Sequence, residues 1–172
     1  KLISEDLIVK DKHKGYLLTE TGTINVAELY RKHRLIEVFL VDHLQYSCDQ
    51  IHQEAEILEH TVSDHFIDAL ERLLNYPQTC PHGGQIPKSG QLIEEFYNQT
   101  FTQGLAPGNY VLRRVQDQHD LLHYLETVGL KIGTPFTLEG FDPFTQLYRL
   151  HIDGKDVQIP EAIASNLYIE SN

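Results

Sequence analysis

The hydrophobic period of this chain changes once, across a Pro-, Gly- and Ser-rich stretch at residues 77–90. A helical pattern does not serve as a strand, nor the reverse, so this change limits the fold more than any other feature. Before it, Val26, Leu29, Tyr30, His33, Glu37, Leu40 and Leu44 recur at helical steps, predicting one long helix. A second helix is predicted over about residues 49–62, with Ile51, Ala55, Leu58 and Val62 as its apolar stripe. Ser63 and Asp64 cap a third, whose Phe66, Leu70, Leu73 and Leu74 are expected to face the core. Ahead of these, Leu7-Ile8-Val9 and Tyr16-Leu17-Leu18 flank a basic turn and read as a hairpin. Beyond residue 90 the pattern is mainly β. Residues 110–115, 135–140, 146–151 and 156–159 are strand candidates, and a helix over 121–128 is ended by Gly129. Short strands around one helix predict a small, partly closed barrel, and the whole chain is α+β.

Composition removes several function classes. A net charge of −11 argues against a broad nucleic-acid surface. Apolar runs are short, residues 38–41 being typical, so no membrane partner is expected, and no signal-like segment opens the chain. Two cysteines, Cys48 and Cys80, make no disulfide framework, which favours a reducing cytoplasm. The chain contains no methionine, which we read as a fragment of a longer protein.

The densest chemistry lies on the first two long helices. His52, Glu56, Glu59 and His60 fall within an arc of about 100° at 3.6 residues per turn. His33 and Glu37 stand one turn apart inside the apolar face, where a carboxylate costs several kcal/mol unless paired or coordinated. A Glu/His stripe on a helix is most often a solvated face, and a lone His33 would be a hydrogen-bonded core histidine. Together, acids and imidazoles from neighbouring helices suit a divalent metal. Catalytic patterns are missing: residues 56–60, EILEH, depart from H-x-x-E-H at the first ligand, and no nucleophile elbow, Walker loop or dinucleotide fingerprint is present. The chain is therefore expected not to be an enzyme and to have no small-molecule substrate. A metal-dependent hydrolase fragment using Glu59 as base, or a metal-buffering module, is the alternative.

Residues 30–37, YRKHRLIE, and 52–60, HQEAEILEH, closely resemble the dimerisation domain of the diphtheria toxin repressor family. Pro81-His82-Gly83-Gly84, Ile86-Pro87 and the β-rich tail resemble that family's three-domain form, in particular its manganese-responsive SloR- and ScaR-type branch. The resemblance implies a remnant wing of a winged helix-turn-helix at 1–22, a helical dimerisation and metal-binding domain at 23–76, a linker at 77–95 and an SH3-like or FeoA-like barrel at 96–172. It also implies a primary metal site at His33, Glu56, Glu59 and His60, which the family completes from an upstream helix. Glu56 stands where iron-responsive members carry sulfur, and manganese prefers carboxylate oxygen. A secondary site is implied at Glu37, Cys80, His82 and Asp117, with His119 or Asp120 as substitutes for Asp117 and His52 as an additional ligand.

The cofactor so implied is Mn2+, with Fe2+ as the other physiological candidate and Zn2+ or Cd2+ able to bind in vitro. The partners implied are a second copy of the chain and, in the full-length protein, operator DNA. For this chain alone, Lys10, Lys12 and Lys14 on the wing offer only weak DNA contact. Val38, Phe39 and Val41, off the main stripe, are expected to supply the second apolar surface that a homodimer would cover.

Overall fold

Asp11 makes the first turn. Its Oδ1 accepts hydrogen bonds from the backbone N–H of His13 (2.8 Å) and Lys14 (2.7 Å), which hold its carboxyl below the usual carboxylate range. Gly15 then takes φ 83°, and strand β1 (Ile8–Asp11) pairs antiparallel with β2 (Gly15–Leu18) as expected. The computed structural model describes residues 1–47 and 50–172, with His119 described by its backbone alone. Cys48 and the expected helix start at Asp49 lie outside the described residues.

By its internal contacts the chain divides into two units. The first comprises Lys1–Gln45, Gln53–Cys80 and Gln85–Glu94; the second comprises Tyr46–His52, Pro81–Gly84 and Glu95–Asn172. In the first unit, helix α1 (Glu20–Leu44) begins at Thr19, whose side chain accepts from the Gly22 N–H, and stops at Gln45 in the left-handed region. Gly22 is required there, because a Cβ would lie 1.9 Å from the Leu7 carbonyl oxygen. Helix α2 (Ile51–Glu59) runs from the second unit into the first, and α3 (Asp64–Leu73) is capped by Ser63 as the sequence predicts.

The inward faces differ from expectation. The middle of α1 is buried almost all round, at Leu35, Ile36, Glu37 and Val38, while Leu29, Tyr30 and Leu44 are exposed. On α3 the buried residues are Ile67 and Leu70, and Phe66 and Leu73 face solvent. Val38 is thus part of the core and not of a second surface. The uncovered apolar residues are others, and Phe66 and Leu73, seven apart, share one face of α3.

Arg31 clamps α1 to α3. Its guanidinium, 3% exposed, donates to Asp68 (2.9 Å) and Glu71 (2.7 Å). Burial opposes its charge, but the hydrogen bonds to Glu71 and Asp68 outweigh that and hold its proton more firmly. The Pro/Gly stretch is ordered by backbone pairing: Thr79 bridges Gln85, and the Ile86 N–H donates to the Gln78 carbonyl. Arg34 also donates to the Gln85 carbonyl.

The second unit is a five-stranded antiparallel sheet and one main helix. Its strands are β3 (Gly108–Val115), β4 (Pro135–Asp142), β5 (Leu147–Ile152), β6 (Lys155–Pro160) and β7 (Leu167–Ser171), in the order β6-β5-β4-β3-β7. Helix α4 (His119–Val128) ends at Gly129, φ 76°, and a one-turn helix α5 (Glu161–Ala164) precedes β7. Strict alternation buries Tyr148, Leu150 and Ile152 of β5 on the side where Leu121, Leu122 and Leu125 of α4 pack. Phe101 is fully buried at its centre, stacked on Phe136 (ring centroids 5.3 Å apart) and edge-on to Tyr148.

The expected SH3-like barrel is not formed. Among the described residues β6 and β7 are the two ends of an open sheet. Closure would need the outer edge of β7 to reach β6. That edge is taken instead by the chain before β3, through a Thr100–Tyr168 bridge and the Ile169 N–H donating to Gln99. Strand β7 and helix α5 are not among the elements expected from the sequence.

Because Phe101 is enclosed by two aromatic rings, Phe101→Ala should cost about 3–5 kcal/mol. Equilibrium urea unfolding checks this; a loss below about 1 kcal/mol would contradict the packing described.

Candidate metal centre

In the first unit, α1 places His33 and Glu37 one turn apart and α2 brings Glu59 to the same imidazole. His33 Nδ1 lies 2.6 Å from Glu59 Oε2, and Nε2 lies 3.1 Å from Glu37 Oε1. All three are buried, Glu37 completely. Because the two nitrogens point to opposite sides of the ring, one ion cannot use both. An ion on the Nδ1 side would share Glu59, whose Oε1 lies 3.3 Å from His60 Nε2. An ion on the Nε2 side would share Glu37, whose carboxylate has a donor atom within 4.8 Å of Cys80 Sγ. Cys80 is a free, buried thiol. A protonated His33 can donate to both carboxylates; a neutral one presents a lone pair to a cation. The donor set therefore fits a divalent metal as well as it fits a buried ion triad.

Glu56, expected in the primary set, is exposed on α2 one turn before Glu59 and His60. It belongs to no group of three or more described ligating side chains whose donor atoms converge within 4.8 Å. His60 is largely exposed, its side chain touching only the rim of the set through Glu59. Lys10, Lys12 and Lys14 lie exposed on the hairpin.

In the second unit, Asp117 Oδ2 faces two imidazoles, His52 Nδ1 at 2.8 Å and His82 Nδ1 at 3.6 Å. The local chain explains His82. Gly83, φ 80°, runs so close to β3 that a Cβ would sit 1.9 Å from the Arg113 carbonyl oxygen, and the Val115 N–H donates to the His82 carbonyl at 3.0 Å. The backbone contact that only glycine permits thus sets the buried His82 ring beside Asp117. Asp120 is exposed on α4, and the side chain of His119 lies outside the described residues.

Helical spacing placed His52, Glu56, Glu59 and His60 on one stripe. In the structure their partners differ: His52 meets Asp117, Glu59 meets His33 and His60, and Glu56 meets solvent. The His52–Asp117 pair spans 65 residues and left no local signal. The buried cation Arg31, which fixes α3 against α1, was not singled out either, since its acids lie on another helix.

Residues 19–88 match a family described as an iron dependent repressor, metal binding and dimerisation domain, and residues 105–171 match the FeoA domain. The fold is similar to that of the manganese regulator SloR, with a TM-score of 0.92 and 51% identity, covering 99% of this chain and 80% of that one. It is equally similar to ScaR with bound Cd2+, at TM-score 0.92 and 51% identity, covering 99% and 81% of the two chains. The iron-dependent repressor IdeR of Mycobacterium tuberculosis is 40% identical over 80 residues, 46% of this chain and 34% of that protein. Aligned segments span only 19% to 34% of the length of several curated relatives.

Gly83→Ala should displace His82 from Asp117 and cost about 1–3 kcal/mol through backbone strain alone. Urea unfolding and the His82 ring resonances check this; a variant with unshifted resonances would show that the close approach does not position the imidazole.

Proposed function

Because this chain belongs to the diphtheria toxin repressor family of metal-dependent transcriptional repressors, in its SloR- and ScaR-like branch, we propose that it is the metal-sensing and dimerising part of a manganese-responsive repressor. The observation that carries this reading is the His33 imidazole held between two buried carboxylates, each on the side of a different ring nitrogen. The primary ligand set is His33, Glu56, Glu59 and His60. The secondary set is Glu37, Cys80, His82 and Asp117, with His52 attached through Asp117. Within one unit Glu37 and Cys80 are neighbours, and within the other so are His82 and Asp117, which supports the secondary set. The domain limits proposed are 1–22, 23–76, 77–95 and 96–172, the last without barrel closure.

Bound Mn2+ would supply positive charge that relieves the mutual repulsion of the converging carboxylates. The chain's own residues set how that charge is read. Glu59 and Glu37 orient His33, and α2, carrying Glu56 and His60, moves with Glu59. Whatever conformation gathers the ligands is stabilised by metal, and if that conformation also binds DNA the two affinities are linked, typically by ~1–3 kcal/mol. ScaR is described with Cd2+ and Zn2+, and Cys80 as a soft donor gives this chain the same openness to later metals.

A dimer is supported by the exposed apolar residues Leu29, Tyr30, Phe66 and Leu73 on α1 and α3. Operator DNA is the proposed partner of the whole protein. The chain alone should hold DNA weakly, since its three wing lysines stand against a charge of −11.

Calorimetry on this chain should show Cd2+ binding that Cys80→Ala weakens at least about tenfold; an unchanged isotherm would remove Cys80 from the ligands. For the functional reading itself, the chain is joined to the winged-helix head of a SloR-type regulator and its operator mobility shift measured with and without Mn2+. Glu56→Ala or His60→Ala should abolish the response while the protein still sediments as a dimer. A manganese response that survives Glu56→Ala, or a clean monomer, would overturn the proposal.

A further inference from the structure

We propose that Glu139, His151 and Asp156 form a divalent-cation site on the solvent face of the β-sheet, separate from the ligand sets above. The three side chains come from β4, β5 and β6, and each offers a donor atom within 4.8 Å of the others. His151 stands directly opposite Asp156 in the ladder, with Nδ1 2.7 Å from Oδ1. Since Leu150 and Ile152 point into the core, alternation turns His151 outward.

Glu139 joins them through a defect in pairing. Leu138 faces Leu150, but the next pair is Gly140 with Arg149, so Glu139 is the extra residue of a β-bulge. In an unbroken ladder it would stand opposite Arg149, an ordinary cross-strand ion pair. The bulge takes it out of that register, and bulges re-aim side chains in this way. The Arg149 guanidinium lies over Gly140, 3.7 Å from where a Cβ would be. Glu139 therefore converges on His151 and a second carboxylate. Two carboxylates brought together on an exposed sheet repel each other, and a cation among them, whether a protonated His151 or a metal bound to its neutral ring, relieves that repulsion.

The donor set decides the class of ion. One imidazole and two carboxylates suit a borderline divalent transition metal, and the affinity order places Zn2+ above Mn2+. The exposure of all three residues leaves the remaining positions to water. Occupancy would tie β6, the end strand, to β5 and β4, so it should raise the melting temperature of the second unit.

The test is Zn2+ titrated calorimetrically into the full chain, its His151→Asn and Glu139→Gln variants, and Cys80→Ala. His151→Asn should bind one equivalent fewer, and Glu139→Gln should weaken the same equivalent about tenfold. Cys80→Ala should retain that equivalent, with His151 ring resonances that still move on adding Zn2+. The exposed His151→Asn and Glu139→Gln substitutions should leave circular dichroism unchanged, so a loss of binding there is not a loss of fold. Equal stoichiometry and affinity in wild type and His151→Asn, or His151 resonances that ignore Zn2+, would overturn the proposal. Because Cys80→Ala perturbs only the other sets, failure here is distinguishable from failure of the repressor reading.

Discussion

Glu37 has no accessible surface and sits in the middle of the longest helix. A carboxylate in that position costs several kcal/mol unless something shares its charge, and the neighbouring chain is arranged around that requirement. His33 lies one turn before it, Cys80 comes close from beyond α3, and Glu59 holds the far nitrogen of the same ring. The carboxylate is thus tolerated beside an imidazole, a thiol and a second carboxylate, all side chains of metal-ligating type. Arg31 solves the same problem by another means: as a buried cation it takes two acids from α3 and needs no ion. One helix therefore carries an ion cluster that fixes its neighbour and, half a turn on, a second buried group in which His33 stands between two carboxylates.

The second unit places its polar groups by backbone irregularity more than by pattern. Gly83 allows a loop to lie against β3 and delivers His82 to Asp117, and the extra residue at Glu139 redirects a carboxylate that regular pleating would have matched to Arg149. In both cases the core residues stay on their expected side. Specific chemistry is set by a local departure from the ladder while Leu138, Leu150 and Leu112 preserve the packing beneath.

How much of this was legible follows from the range of each signal. The hairpin, the three helices with the Ser63 cap, and the Gly129 stop depend on neighbours within a few residues, and the sequence carried them. So did His33 and Glu37, because a one-turn spacing inside an apolar face is a local anomaly. The faces of α1 and α3 were misjudged at Leu29, Phe66 and Leu73, since periodicity reports that apolar residues share a side but not what covers it. That His52 meets Asp117 depends on a contact across 65 residues, beyond the reach of any helical arc. Barrel closure was misread for a related reason: it rests on whether the first and last strands of a sheet meet, which no window of sequence contains.

An open sheet has rims, and rims recruit other strands. At one rim, β7 is shielded by the chain segment around Thr100. At the other, β6 reads Lys-Asp-Val-Gln-Ile-Pro, with charge at its start and a proline at its end. The Tyr124 hydroxyl donates to the Gln158 carbonyl there, occupying one of the backbone acceptors. Charge and proline on an end strand discourage edge-to-edge addition. The failure to close is therefore matched by features that keep the sheet from growing, and the side chains of β6 answer to colloidal behaviour as much as to the fold.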